Sequence, residues 1–505
     1  MHGRTRVARV SHEIGTHMQT KLFIGGEFVD ALDGATIDVF DPHDGSLLAS
    51  VAEAKEADID RAVEAATSAK HGWARLAAAD RGRLLLRLAD AIEVDADNLA
   101  MIETRDTGHP IRDTRNLDVM RTAATFRYFG GMADKFQGSV VPVEAGFLDY
   151  VTPEPLGVVG QIVPWNFPVM FCSWKMGPAL AAGNTVVMKP AELTPMSALR
   201  IAELMAEVGF PAGVVNIVPG YGNTAGQRIV EHPGIAKVSF TGSTPVGKSV
   251  ARGAAETLKQ VHLELGGKGA NIVFEDANIP AAVGGTAFGI FHNQGQACIA
   301  ASRLIIHESV VDEFLERFLA LAASIKLGDP KDPATEMGPL TSTMHRDRVL
   351  SYIEVAKSEG GEILLGGKAP SDPALANGCY IEPTVVRTDA SSRVAREEVF
   401  GPFMTLHTFR TDEEALAIAN SVDYGLGGGL WTNNLTRAHK VARELHAGMV
   451  WINSYKRVNP GSPFGGMGVS GYGREMGFEA MREYTEPKAI WVNIDAAIPP
   501  FYPRG

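Results

Sequence analysis

The feature that most restricts the fold is the alternation that begins at Val158, where short apolar runs trade places with turns and amphipathic stretches. Val158–Val163, Thr185–Met188, Val214–Val218 and Lys237–Phe240 are four such runs, each punctuated by glycine. Their brevity and continuous apolar character read as strands buried inside a sheet. Between them, Ser197–Val208 and Lys248–Leu258 carry helical spacing, and a further helix is read from Trp174. Strand, loop and helix in repetition argue for parallel sheets with helices on their faces. A second half of the same kind starts at Asn271–Phe274, extends to about Gly448, and includes an amphipathic helix over Val311–Ile325.

The flanking regions read differently. Lys21–Phe28 is a hairpin around Gly25-Gly26, Ile37–Phe40 is extended, and helical periodicity runs from Asp58 to about Phe136 with a break at Gly108-His109-Pro110. Residues 139–151 form a second hairpin, too apolar to stand alone in water, and Pro487–Asn493 is a final strand. Neither has an evident partner within a compact domain.

Charge and cysteine content exclude several classes of function. A net charge of −12 disfavours nucleic acid and anionic membranes as partners. No apolar run approaches the ~18 residues that span a bilayer. The three cysteines, Cys172, Cys298 and Cys379, form no Cys-x-x-Cys pair, so neither a zinc site nor a disulfide frame is expected, and no metal is assigned. Such cysteine usage suits a reducing compartment, and a cytoplasmic location is expected. The first 17 residues carry Arg4, Arg6 and Arg9 against Glu13, with no apolar core for a secretory signal. They read as a disordered tail (1–18) or as an over-long start upstream of Met18, an organelle transit peptide being the alternative.

Chemistry concentrates at Cys298, which follows a Gly-Gln-Ala turn in an apolar region. A lone cysteine is ordinarily a small buried hydrophobe. Upstream, however, Glu264 stands inside the apolar segment Val261–Leu265, just before Gly266-Gly267. Burial raises a carboxylate towards the range of a general base, and a thiol, a base and a polarising donor suffice for covalent catalysis on a carbonyl. In Glu264-Leu-Gly-Gly-Lys268 and Gly295-Gln-Ala-Cys298, and in the 34-residue interval from 264 to 298, the chain resembles the aldehyde dehydrogenase superfamily. The resemblance covers about residues 20 to 495.

That resemblance implies a modified Rossmann cofactor domain (19–137 and 154–263), a second α/β catalytic domain (264–448), and a small β element for oligomerisation (138–153 and 484–496). It assigns Cys298 as nucleophile, Glu264 as base, Asn166 with the backbone N–H of Cys298 as oxyanion hole, and Lys175 with Glu475 as a proton-relay pair. By themselves, Asn166 reads equally as a helix cap, and Lys175–Glu475 as a plain buried ion pair. The turn Gly242-Ser243 to Gly247, which alone is only a tight turn, becomes by similarity the pyrophosphate site. Lys189 and Glu192 would hold the adenine-side ribose, Glu398 the nicotinamide ribose, and Phe400 would pack beside the ring. Val163, Trp165 and Leu265 complete the cofactor set. The cofactor implied is NAD, because the Glu192 carboxylate would repel a 2′-phosphate; NADP is the alternative. Phe167, Met170, Phe171, Trp174, Ile299, Val458 and Phe464 would line an apolar substrate tunnel. Two departures from the family pattern are His109, where lysine is commoner, and His345, where glutamine is.

The function implied is oxidation of a small-molecule aldehyde to the acid through a cysteine thiohemiacetal and thioester, by a homodimer or homotetramer. The rivals are a CoA-acylating semialdehyde dehydrogenase, a catalytically silent binding or structural protein on the same fold, and a cysteine hydrolase. Retention of Glu264 argues against the first. Lys456 and Arg457, near the entrance in the family, either attract a substrate with a distal carboxylate, or point into solvent or pair with acids on a neighbouring subunit.

Overall fold

The computed structural model describes residues 18–497, so the reading of residues 1–17 lies outside the described residues. Two sheets organise the chain, and both have the α/β character expected. The first has eight strands, and its five central ones (Val215–Ile217, Thr185–Lys189, Val158–Ile162, Lys237–Thr241 and Gln260–Glu264) are parallel neighbours in that order. Every residue of Val158–Ile162, Thr185–Lys189 and Lys237–Thr241 is buried, as strands covered on both faces must be. Antiparallel strands close the edges: the hairpin Leu22–Ile24/Glu27–Val29 on one side, Gly471–Tyr472 on the other. The C-terminal part of the chain thus returns to pair beside Glu264.

The second sheet has seven strands. Thr384–Arg387, Phe403–Phe409, Arg303–His307, Ala270–Val273, Gly427–Trp431 and Met449–Ile452 are parallel, and Glu362–Leu365 pairs antiparallel at one edge. The other edge strand lies just past residue 448.

Three local readings are corrected. The helix read from Trp174 begins at Pro168 and runs to Ala182. All fifteen of its residues are buried, so no polar face marks where it starts, and Pro168 suits the first turn because its missing N–H has no partner there anyway. The helix read over Lys248–Leu258 spans Thr244–Ala255, and Leu258 lies beyond its end with a left-handed φ of 54°. The hairpin at 139–151 and the final strand do have a partner: each other. Thr485–Asn493 pairs antiparallel along the whole of Phe147–Pro155, and Ser139–Val141 forms the third strand. The small sheet is nonetheless poorly covered, with Val140 70% and Trp491 55% exposed.

Candidate active site

Cys298 follows a strained turn. Helix Ile279–Phe291 is followed by Asn293 and Gln294, both at φ 53°, and by Gly295 at φ 71°. Three successive left-handed residues are costly and persist only where packing enforces them. At Gly295 only glycine fits, since a Cβ would lie 1.9 Å from the Gly401 carbonyl oxygen. The base motif meets this turn directly. A Cβ on Gly267 would fall 2.2 Å from the carbonyl oxygen of Cys298, so the two segments touch backbone to backbone. The Gly267 N–H donates to Glu398 Oε1 at 2.8 Å, which ties the third motif to the same point.

Two cavities converge on Cys298. The larger, about 570 Å³, is lined by Trp165, Asn166, Gly242, Ser243, Leu265, Glu398 and Phe400 among others. The smaller, about 40 Å³, is walled by all seven residues expected for the substrate tunnel. Cys298 and Phe171 line both, so the thiol stands at the junction.

Four residues expected at the cofactor are not on the cavity wall. Val163 is buried, and its N–H donates to the Lys189 carbonyl at 3.1 Å, extending the sheet pairing. Gly247 lies inside the helix Thr244–Ala255. Its N–H is used by Ser243 O at 2.9 Å, and a Cβ there would strike Leu265 at 2.4 Å. It therefore packs helix against strand and has no N–H to offer a phosphate. Lys189 Nζ is occupied by the carbonyls of Gly220 (2.7 Å) and Pro190 (2.9 Å) and by Glu192 (3.4 Å), whose side chain is one-third exposed.

Behind Cys298 the polar groups form a chain. Glu264 closes the strand Gln260–Glu264 and is buried. Its Oε1 lies 3.2 Å from His262 Nε2, while Oε2 has no partner. Burial, reinforced by Glu475 nearby, pushes this carboxyl well above the usual range. His262 Nδ1 lies 3.4 Å from Ser239 Oγ, which accepts from Lys175 Nζ at 2.9 Å, and Lys175 is hydrogen-bonded to Glu475. Burial keeps His262 neutral, with the charge of Lys175 acting in the same sense. His262 was not singled out from sequence, although residues two apart on a strand face the same side, and that would have shown it.

Asn166 is not a cap. The helix starts from Phe167, and the Asn166 amide donates to the Gln296 carbonyl at 2.8 Å, two residues before the nucleophile. Burial pushes the Cys298 thiol up and the Glu264 and Glu398 carboxylates add to this, whereas Lys456 opposes them. His345 packs at an angle against aromatics, with ring centroids 4.9 Å from Trp165 and 6.1 Å from Phe400, and burial drops it to about 4, so its imidazole is neutral. Of the two cations considered near the entrance, Lys456 lines the small cavity and Arg457 is exposed outside it. Arg121, on helix Val119–Met132, takes the place sequence gave to Arg457; nothing local in that helix marks it.

Residues 28–490 match the family model described as the aldehyde dehydrogenase family. The chain belongs to the aldehyde dehydrogenase family. It is 44% identical over 478 residues to the aldehyde dehydrogenase of Alternaria alternata, covering 94% of this chain and 95% of that one. Human retinal dehydrogenase 2 is 44% identical over 480 residues, covering 94% and 92%. Among solved structures, PnpE from Pseudomonas sp. WBC-3 superposes with a TM-score of 0.96 at 66% identity, over 96% of this chain and 100% of that one, and a further structure of PnpE contains nicotinamide adenine dinucleotide.

Proposed function

We propose that this chain oxidises an aldehyde to its carboxylic acid with NAD, with Cys298 as nucleophile and Glu264 as the hydrolytic base. The observation that carries the reading is the position of Cys298 at the meeting point of two cavities, with Glu264 and its relay packed behind. The larger cavity suits a dinucleotide. Thr241 Oγ1 on its wall is buried without a partner, Ser243 precedes a helix without capping it, and Glu398 faces the space with its carboxyl pushed up to about 7 by burial. NAD, when bound, supplies the hydride acceptor. Thr241, Ser243 and the N-terminus of helix Thr244–Ala255 would hold its polar groups, and Trp165 and Phe400 its rings. Lys189 and Glu192 lie off the wall of this cavity; where the adenine-side ribose reaches them, the Glu192 carboxylate disfavours a 2′-phosphate.

The Cys298 thiol gives up its proton to water, and the thiolate Sγ bonds to the substrate carbonyl carbon. The resulting oxyanion is met by the Asn166 amide and the Cys298 N–H, donors worth ~3–4 kcal/mol each when aimed at developing charge. Loss of hydride from the tetrahedral carbon leaves a thioester on Cys298. Glu264 then takes a proton from water as the water attacks, and passes it along His262, Ser239 and Lys175–Glu475. The CoA-acylating alternative has no use for this buried base. Residues 19–137 with 154–263 are read as the cofactor domain, 264–448 as the catalytic one, and 138–153 with 484–496 as the element that joins subunits. The test is a panel of aldehydes with NADH absorbance as readout: wild type turns over at least one, and Cys298→Ala is inactive on all while still binding NAD. A Cys298→Ala rate near wild type would refute the assignment.

A further inference from the structure

We propose that the small cavity beside Cys298 is a carboxylate subsite, and that the preferred substrate is an aldehyde bearing a second, terminal carboxylate gripped by Arg121 and Lys456. This rests on the aldehyde-oxidising reading above.

Two cations line this cavity, and no aspartate or glutamate does. Arg121 is half-buried, and among the described residues its guanidinium makes no hydrogen bond or ion pair within the chain. Lys456 is only 5% exposed, and its one bond is a long 3.4 Å contact to the His292 carbonyl. Other buried cations here are provided for. Lys175 ends on Glu475, Lys237 on Glu483, and Arg303 on the carbonyls of Lys268, Ile418 and Ala419. Leaving two charges desolvated without an anion is costly, and the cost is removed if a ligand brings the anion.

The backbone holds Lys456 in place. Its φ of 54° is left-handed, a conformation a lysine keeps only when its surroundings impose it. Burial draws its ammonium down to about 7, with Cys298 opposing and Arg121 adding, a shift that an arriving carboxylate would reverse. Nearby acids are already engaged, Asp118 by His109 at 2.6 Å and Asp113 by Arg112 at 3.0 Å.

The same surroundings decide against a cation. Ligand atoms of His109, Asp113 and His292 lie within 4.8 Å of one another, a spacing a metal ion accepts. Burial and the charges of His109, Lys456, Arg121 and Arg112 all hold His292 neutral, and they would repel a metal ion as well. With Arg121 and Lys456 on its wall and no carboxylate, the cavity favours an anion. A guanidinium meets a carboxylate with two parallel hydrogen bonds, and Lys456 supplies a third contact. Phe167, Trp174 and Phe464 wall the space and suit the carbon chain that links the two ends.

The test compares ω-oxo acids of four to six carbons with the unsubstituted aldehydes and with the methyl esters of the same acids, using the wild-type enzyme and NAD. The expected result is a preference of ~100-fold or more in kcat/KM for the free acid at its best chain length, since a site built for a polar group rejects analogues that lack it. In Arg121→Gln and Lys456→Met the preference should collapse, chiefly through KM for the acid. Equal use of acid, ester and plain aldehyde by wild type would overturn the subsite and leave aldehyde oxidation standing. Failure of every aldehyde to reduce NAD would overturn the parent reading instead. If either variant misfolds, the ester comparison on wild type decides alone.

Discussion

In the role proposed for Glu264 its carboxylate accepts a proton from the attacking water, and its surroundings decide when that carboxylate is available. Burial and the nearby Glu475 raise its pKa, so the carboxylate form becomes populated only as pH climbs past the ordinary range for a glutamate. Deacylation should therefore accelerate as pH rises beyond the ordinary range of a glutamate, which steady-state rates across pH would record; a flat profile would mean that Glu264 is not the base. His262 is the only described side chain hydrogen-bonded to that carboxyl. His262→Leu should slow steady turnover ~10-fold while the first turnover of NADH keeps its amplitude, because hydride transfer precedes hydrolysis. If His262 merely supported the fold, burst and steady rate would fall together.

At the scale of elements, the site is made by a close approach of two turns, and this is what ties the motifs together. Gly267 borders the carbonyl of Cys298 so tightly that Gly267→Ala must displace the nucleophile turn. The variant should lose ~100-fold or more in kcat, since small misplacements of a reacting group cost that much. Near-normal kcat in a folded Gly267→Ala protein would show that the contact does not set the nucleophile's position. The Cys298 and Glu264 segments were legible in sequence because glycines punctuate apolar strands there. Helix Pro168–Ala182 was half legible: it is buried on every side, so no amphipathic period fixed its start. Arg121 was not legible at all, since one arginine on a helix becomes remarkable only when tertiary packing turns it towards Cys298 without a partner. Gly247 misled for the opposite reason. The family resemblance implied a phosphate loop, whereas the missing Cβ makes room for Leu265.

At the scale of the molecule, the three-stranded sheet stands out for the apolar side chains it leaves exposed. Its strands pair with each other along nine positions, a pairing between residues more than 300 apart that no local pattern could reveal. The outer edge of Thr485–Asn493 remains open, beside exposed Trp491 and Val492. A long open edge with apolar side chains invites another chain. Light scattering at micromolar concentration should return a multiple of 54.0 kDa, and a truncation before Thr485 should dissociate it. A stable wild-type monomer would contradict the role given to that sheet.

The central claim is that a thioester forms on Cys298 and that Glu264 hydrolyses it. Rapid mixing of Glu264→Gln with NAD and a good aldehyde tests it most directly, with intact-protein mass measured as the NADH signal levels off. The account predicts a burst of about one NADH per subunit, little further turnover, and an acyl adduct mapped to the peptide carrying Cys298. A variant that shows neither burst nor adduct, or one that turns over steadily like wild type, would contradict it.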